Sequence, residues 1–482
     1  MKLTPTAWVT IQTVYTQGFG ALVFAIQAPL LTPRAFGLIA IVMVFITFCE
    51  TLLESATETL ISLKEIEPAH YATVNGLVAV VGAALGLLLV AAAGPIAAGF
   101  GEPQLAPVVR SMAIFPLLAG IGAAPNAATK RAMEFRPLAI RMISGVTAGG
   151  VVGVVLAFAG AGVWALVAQS LLQRTVCVAV LWMNSSLAFR LGFSRRHWND
   201  LSLYAWPLIM ARSLSWVSTQ LPRFILALNL TVAEMGLFSL ASRLSDILIQ
   251  VAIVPRTAVA RVELRRFTPG AEQLSVAVSH LMLRMSAVAF PFCAIGAALL
   301  PTLVHAWLNP KWFDAILPGQ ALLLAAAAWV SFFGAGALFL GLNQQRTEAL
   351  ANVLQNISIV IVAIAAGPFG LTVAALALAV RPLLLIGPVA VMVRRTCQVP
   401  ARVFLGSQAL PLTAALVAGA IVWLLQQRTE VALGSPLALI ALGAAGFTVY
   451  GILLASIAPG RLRLLIPAWD RKRQARPIAN EE

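Results

Sequence analysis

Fourteen long apolar runs, joined by connections too short to fold alone, constrain this chain more than any other feature. They lie near 8–31, 37–62, 73–98, 107–127, 138–158, 162–184, 201–229, 235–258, 275–300, 318–342, 349–366, 371–393, 407–427 and 434–458. A helix crossing the hydrocarbon core of a bilayer needs about 20 mostly apolar residues. The runs are continuous rather than short and alternating, which selects helices over a transmembrane barrel. The first run is longer than the apolar core of a secretory signal, and no clear cleavage site follows, so it reads as a retained span. The longest polar stretches, 185–200, 259–274 and the tail from Pro459, are too small for a domain. Only 11% of residues are charged and 60% are hydrophobic, with a mean hydropathy of +0.91. Soluble domains carry about 25% charged residues. A soluble enzyme, an anchored soluble enzyme and a disordered chain are all excluded.

The charge distribution supplies topology. The chain has 33 Lys+Arg against 18 Asp+Glu, for a net charge of +15. In a soluble protein such a balance points to nucleic acid; in a membrane protein it marks the cytoplasmic loops, so no nucleic-acid partner is expected. With the N-terminus cytoplasmic, 23 basic residues fall on that side, and only Arg34, Arg110, Lys311 and Arg428 on the other. Both termini are therefore expected in the cytoplasm. The tail Arg471-Lys472-Arg473, with Arg476, reads as an anchor to anionic headgroups of the surrounding membrane lipids.

Six arginines remain inside the runs: Arg174, Arg212, Arg223, Arg243, Arg284 and Arg381. Four acids join them: Glu50, Glu54, Glu58 and Asp246. A charge at the centre of a spanning helix costs about 2.5–3.5 kcal/mol, so such residues face the bundle interior or a wet cavity. Glu50, Glu54 and Glu58 recur at i, i+4 and i+8, one stripe down span 2. Arg212 and Arg223 share a face of span 7 with Thr219. On span 8, Ser239, Arg243, Asp246 and Gln250 share another. Counted inward, Arg212 falls near the midplane, level with Glu50 and Asp246, and Glu58 toward the cytoplasm. The plain alternative is a set of internal salt bridges. Arg243 and Asp246, at i and i+3, can pair directly, whereas span 7 holds no acid for Arg212 or Arg223. Arg174, Arg284 and Arg381 stand alone in their spans, and snorkelling toward the interface is the bland reading for them. Guanidinium groups at mid-membrane suit an anionic ligand, because the fork grips phosphate oxygens, and a midplane polar site is what alternating-access transporters build.

Spans 1–6 and 7–12 resemble each other. Leu31-Thr32-Pro33-Arg34-Ala35-Phe36-Gly37-Leu38 matches Leu230-Thr231-Val232-Ala233-Glu234-Met235-Gly236-Leu237 at four of eight positions. Weaker matches follow in the same order, Glu102-Pro103 with Asn309-Pro310 and 162–166 with 370–374. Six spans per repeat give a parallel repeat about an axis along the membrane normal. The expected organisation is a six-helix lobe at 1–200, a second at 201–400, helices 13 and 14 at 401–458, and a basic cytoplasmic tail at 459–482. Gly145, Gly149 and Gly153, and likewise Gly82 and Gly86, are small-residue ladders for close helix packing. Cys49, Cys177, Cys293 and Cys397 have no metal or disulfide spacing and read as packing residues. There is no phosphate-binding loop, metal cluster or catalytic triad, so neither an enzyme nor a cofactor or metal site is expected.

Four segments carry a family resemblance: residues 31–38; Gly101-Glu102-Pro103 with Leu105-Ala106-Pro107; Lys130-Arg131-Ala132-Met133-Glu134-Phe135-Arg136; and Gly162-Val163-Trp164-Ala165-Leu166-Val167-Ala168-Gln169. With these the chain resembles the oligosaccharide/polysaccharide flippases of the multidrug/oligosaccharidyl-lipid/polysaccharide (MOP) exporter superfamily. It is most similar to the branch exporting lipopolysaccharide, colanic acid and succinoglycan units. The resemblance covers the first third specifically; the last third shares only hydropathy and span count. It implies an all-α polytopic fold of about 14 transmembrane helices, two six-helix lobes plus two C-terminal helices, around a cavity lined by spans 1, 2, 7 and 8. It also implies a bacterial inner membrane, an undecaprenyl-diphosphate-linked oligosaccharide as substrate, and polymerase and glycosyltransferase partners. One departure is the acidic Glu54-Ser55-Ala56-Thr57-Glu58, where that branch often has a Gly-rich segment with a single Asp.

The resulting expectation is a flippase in which Arg212, Arg223 and Arg243, with Thr219 and Gln250, hold the diphosphate and sugar. Glu50, Glu54, Glu58 and Asp246 carry a coupling proton or sodium ion, or balance the arginines. The competing readings are a cation-coupled drug exporter of the same fold and a non-transport scaffold of a glycan-synthesis complex.

Overall fold

A computed structural model describes residues 4–63, 65–185, 187, 190, 192–428 and 436–457. The expected headgroup anchor at Arg471–Arg473 and Arg476 lies outside the described residues. The described chain is helical. In order the helices are α1 Pro5–Leu30, α2 Pro33–Ser62, α3 Pro68–Gly99, α4 Leu105–Met112, α5 Phe115–Ile121, α6 Ala123–Arg131, α7 Phe135–Phe158, α8 Val163–Met183, α9 Arg195–Asn229, α10 Val232–Leu248, α11 Val254–Leu264, α12 Glu272–Trp307, α13 Ile316–Ala325, α14 Trp329–Gly341, α15 Gln345–Ala366, α16 Leu371–Cys397, α17 Ala401–Arg428 and α18 Pro436–Ile457. Local sequence explains several starts. Thr32 caps α2, its hydroxyl accepting from the Ala35 N–H at 3.4 Å, and Pro33 follows at the first turn, where its missing N–H costs nothing.

Among the described residues, twelve segments are long and apolar enough to cross a membrane. The expected span 107–127 belongs to one of them, Leu105–Arg131, broken into α4, α5 and α6. The first break lies on the glycine face of α3. A Cβ at Gly86 would sit 2.5 Å from the Ala113 oxygen, and one at Gly82 2.5 Å from that of Pro116. The small-residue reading of that ladder therefore holds, as it does for Gly145, Gly149 and Gly153 of α7 against α8.

The expected count of fourteen is not confirmed among the described residues. The runs at 201–229 and 235–258 are helical, in α9 and in α10 with its continuation α11, but are absent from the apolar set. For α9 the reason is polar content, Arg212 and Arg223 among serine, threonine and glutamine; the 235–258 run is instead split, leaving α10 only 17 residues long. Between α10 and α11 the chain makes a π-helical turn, Ile249–Ile253. A proline opens α11, and its missing N–H removes one i→i−4 bond there.

The chain divides into two compact units, Met1–Ser239 and Leu240–Glu482. In the first, α7 packs along both α1 and α8, and α2 runs antiparallel to α9. This places α9 with the N-terminal helices, although the repeat assigns it to the second half. At the start of α10, Gly37 and Gly236 let two backbones approach so closely that a Cβ on Gly37 would overlap the Val232 carbonyl and one on Gly236 that of Pro33. In the second unit the core is built on α12 and α17, with Phe290, Phe339 and Phe404 buried. Tyr450 of α18 donates to the Ala287 oxygen at 3.0 Å. All four cysteines are buried and free, as their scattered positions predicted.

Candidate functional site

The glutamate stripe of α2 is the axis of a charged column inside the first unit. Its three members are one turn apart, so each meets a different neighbouring helix. Glu58 faces α9. Arg212 grips its carboxylate with two donors: Nε donates to Oε2 at 2.9 Å and Nη2 donates to Oε1. Glu50 faces α8, where Arg174 Nη2 approaches its Oε1 at 2.5 Å. Glu54, between them, is exposed and has no hydrogen-bond partner among the described residues. Its electrostatic neighbours are Lys130 of α6 and Arg141 of α7.

This geometry revises several expectations. Span 7 holds no acid of its own, yet Arg212 is paired, because α2 supplies the carboxylate. Arg212 sits level with Glu58, one turn from the Ser62 end of α2, and not at the level of Glu50. The level is set by the register of α9 along α2, where Arg212 meets Glu58 and Trp216 meets Thr47; α9 itself begins at Arg195, six residues before the expected 201. Arg174 does not snorkel; it closes an ion pair. Lys130 and Arg141 join the column, although their positions at helix ends read as topological charges. A charge in a spanning helix is tolerated when a partner replaces part of its hydration, and the column provides such partners from four helices.

Aromatic contacts fix the α2–α9 register. Trp216 Nε1 donates to Thr47 Oγ1 at 3.2 Å, and its ring packs edge-on to Phe48. Phe224 packs edge-on to Phe45. The Thr219 hydroxyl bonds back to the Ser215 and Trp216 carbonyls of its own helix, so it is not held toward the column. Arg223 is exposed on α9, three turns beyond Arg212.

A second polar knot ties α9 to α3. The Glu67 N–H donates to His70 Nδ1 at 3.0 Å, and Glu67 Oε2 lies 3.2 Å from His197 Nε2. The two imidazoles meet edge-to-face at 4.4 Å, and His70 Nε2 lies 3.8 Å from Asp200. The hydrogen bond with His197, followed by the nearby positive charges, holds the Glu67 carboxyl below its ordinary range. Among the described residues no group of His, Cys, Asp and Glu has the geometry to hold a metal ion.

In the second unit, Arg243 and Asp246 are electrostatic neighbours on one exposed face of α10. Gln250 follows in the π-helical turn, also exposed. Arg381 departs from the snorkelling reading. It is 6% exposed, donates to the Gln355 carbonyl at 3.0 Å and the Ser358 hydroxyl at 3.1 Å, and stacks 5.7 Å from the Trp329 ring centroid.

Comparison with known proteins decides the family. A family described as polysaccharide biosynthesis protein matches residues 26–317. The chain belongs to this family. Over 250 residues it is 26% identical to the succinoglycan biosynthesis transport protein ExoT of Rhizobium meliloti (strain 1021), a stretch covering 51% of this chain and 50% of that protein. The chain thus spans about half the length of the curated relative it matches. Among solved structures it is similar to the lipid II flippase MurJ in an inward closed conformation. The TM-score is 0.74 at 14% identity, with 94% of this chain and 99% of that one covered. It is also similar to an inward-facing multidrug-resistance transporter of the MATE family. There the TM-score is 0.56 at 12% identity, covering 86% and 96%. At such identities the likeness shows the fold alone, which is that of the MOP superfamily. This member of the polysaccharide biosynthesis family is therefore a multi-pass membrane protein with a transporter fold.

Proposed function

We propose that this protein moves an oligosaccharide linked to undecaprenyl diphosphate across the bacterial inner membrane, from the cytoplasmic to the periplasmic leaflet, by alternating access. Both termini lie in the cytoplasm, as the bias of Lys and Arg indicates. Family membership and the succinoglycan-transport relative support a glycan substrate. The observation that carries the reading is Arg212. It stands on a helix too polar for the apolar set, and its side chain is 46% exposed although gripped by Glu58. A guanidinium held in this way is oriented by the carboxylate and keeps donors for an anion such as a diphosphate. Arg223 and Arg243 contribute further positive charge along α9 and α10, with Thr219 and Gln250 as polar neighbours for the sugar. Glu54, the stripe member without a hydrogen-bonded cation, carries the coupling proton or sodium ion, while Glu50, Glu58 and Asp246 balance the arginines.

The deciding experiment is complementation of glycan export in a strain lacking the gene. Arg212→Ala should abolish export at unchanged membrane levels, and Arg212→Lys should retain part of it. Full export by the Ala variant would remove the diphosphate role. The drug-exporter alternative requires acids available to an organic cation. The ion pairs of Glu50 and Glu58 speak against it.

A further inference from the structure

Beyond Arg212, the first unit gathers three cations from three helices: Lys130 at the end of α6, Arg141 near the start of α7, and Arg174 in α8. Their alignment is built into the backbone. Gly145 brings α7 against α8 so closely that a Cβ there would meet Cys177 and lie 2.8 Å from the Gln173 oxygen. Cys177 Sγ in turn donates to the Arg141 carbonyl at 3.3 Å. Arg174 is one turn from Cys177 on α8, and it is an electrostatic neighbour of Arg141.

The acids do not balance them. Glu50 is taken by Arg174. Glu54 remains for both Lys130 and Arg141. Among the described residues, the Nε atoms of both Arg141 and Arg174 are buried without a hydrogen-bond partner. A partly buried guanidinium beside another of like charge, with its donors unmet, is costly unless an anion completes it. Lys130 adds a third cation within electrostatic reach, leaving the cluster one positive charge in excess. Lys130 lies at the helix end and Arg141 six residues into α7, about 9 Å along its axis at ~1.5 Å per residue. In the orientation proposed above, the three form a ladder from the cytoplasmic headgroup level inward.

We propose that Lys130, Arg141 and Arg174 form a second anion site, separate from Arg212, that takes a phosphoryl group. The occupant is the diphosphate of a prenyl carrier on entry or the phosphate of an anionic lipid headgroup. The proposal deepens the transport reading, because it places a phosphate station on the cytoplasmic side. Glu54 competes with the anion for Lys130 and Arg141, so neutralising it should tighten binding.

The test uses the full-length protein in phosphatidylcholine nanodiscs with farnesyl diphosphate as probe, its affinity read by equilibrium dialysis. Lys130→Gln and the double variant K130Q/R141Q should weaken binding about tenfold or more, the loss expected for a hydrogen bond to a charged group. Arg141→Lys should recover part of it, and Glu54→Gln should tighten binding severalfold. Because Lys130 is exposed, K130Q reports on the site even if Arg141 variants fold poorly. Adding phosphatidylglycerol to the nanodiscs separates the two sources. Weaker probe binding in the wild type assigns the site to a lipid headgroup, and no change assigns it to the prenyl diphosphate. Wild-type affinity in both K130Q and K130Q/R141Q overturns the proposal. If Arg212→Ala alone loses the probe in that case, the transport reading stands without it.

Discussion

Arg212 and Glu58, 154 positions apart in sequence, form a two-donor ion pair that joins α9 to α2. Both side chains are partly exposed, so the pair contributes modestly to stability, about 0–1 kcal/mol for solvated pairs. Its larger effect is on orientation. Glu58→Arg and Arg212→Glu should each lower the thermal midpoint of the detergent-purified protein and abolish export. The double exchange should recover the midpoint while export stays lost, because the guanidinium then projects from the wrong helix. Export regained by the exchanged protein would show that the pair acts only as a brace.

Gly37 and Gly236 predict a steeper effect. The overlap an added Cβ would make is with backbone carbonyls, which cannot rotate away. Overpacking of this kind costs typically 1–3 kcal/mol. Gly37→Ala and Gly236→Ala should each reduce the yield of monodisperse protein and lower its midpoint, and Gly37→Leu should leave little folded protein. By contrast, Gly18→Ala, where nothing lies within 4 Å of the new Cβ, should be silent in the same assay.

The link between Glu67 and His197 predicts a pH dependence of defined sign. The Glu67 carboxyl is held below its ordinary value in the folded protein, first by its hydrogen bond with His197. Such a group stabilises fully above its unfolded pKa of about 4.3 and loses that contribution as pH falls through the lower folded value. Glu67→Gln should therefore melt earlier than the wild type near neutral pH, and the two midpoints should converge below about pH 4. Glu67 lies at the surface, so raising the salt concentration should also narrow the gap.

Arg381 and Trp329 test the interior of the second unit. A cation over an indole ring is worth about 0.5–2 kcal/mol, the upper figure when desolvated. A double-mutant cycle with Arg381→Met and Trp329→Leu, read by chemical denaturation in detergent, should give a coupling energy in that range. Additive effects of the two substitutions would mean that the stacked geometry contributes nothing.

Most of the architecture was legible because a lipid solvent leaves long apolar runs, and twelve of the fourteen runs are apolar spans. Of the other two, the run in α9 failed for the reason that made it interesting, since charge and polarity suited to a site lower the signal that marks a span; the run at 235–258 is split by the π-helical turn after the 17-residue α10. The stripe of Glu50, Glu54 and Glu58 was readable because its spacing is internal to one helix. The partners were not, since Arg174, Arg141 and Lys130 come from other helices, and no periodicity within α2 refers to them. Arg174, alone in an apolar run, resembles a snorkelling residue until the helix opposite is known. The early start of α9 was hidden by Arg195-Arg196-His197-Trp198-Asn199-Asp200, a polar first turn that reads as a loop. The level of Arg212 was hidden for a different reason: it is set by the register of α9 along α2, which pairs Arg212 with Glu58 and Trp216 with Thr47.

The polarity of α9 also has a consequence for how the chain is made. A segment carrying Arg212 and Arg223 gains little by partitioning alone from the translocon into lipid, where each central arginine is disfavoured by about 2.5–3.5 kcal/mol. Its carboxylate partner, on α2, leaves the ribosome long before it. The growing protein therefore has a receptor for α9 waiting in the bilayer, and the order of synthesis becomes part of the folding mechanism. A circular permutant that begins at α9 would keep every contact described above, yet would have to insert its most charged helix first.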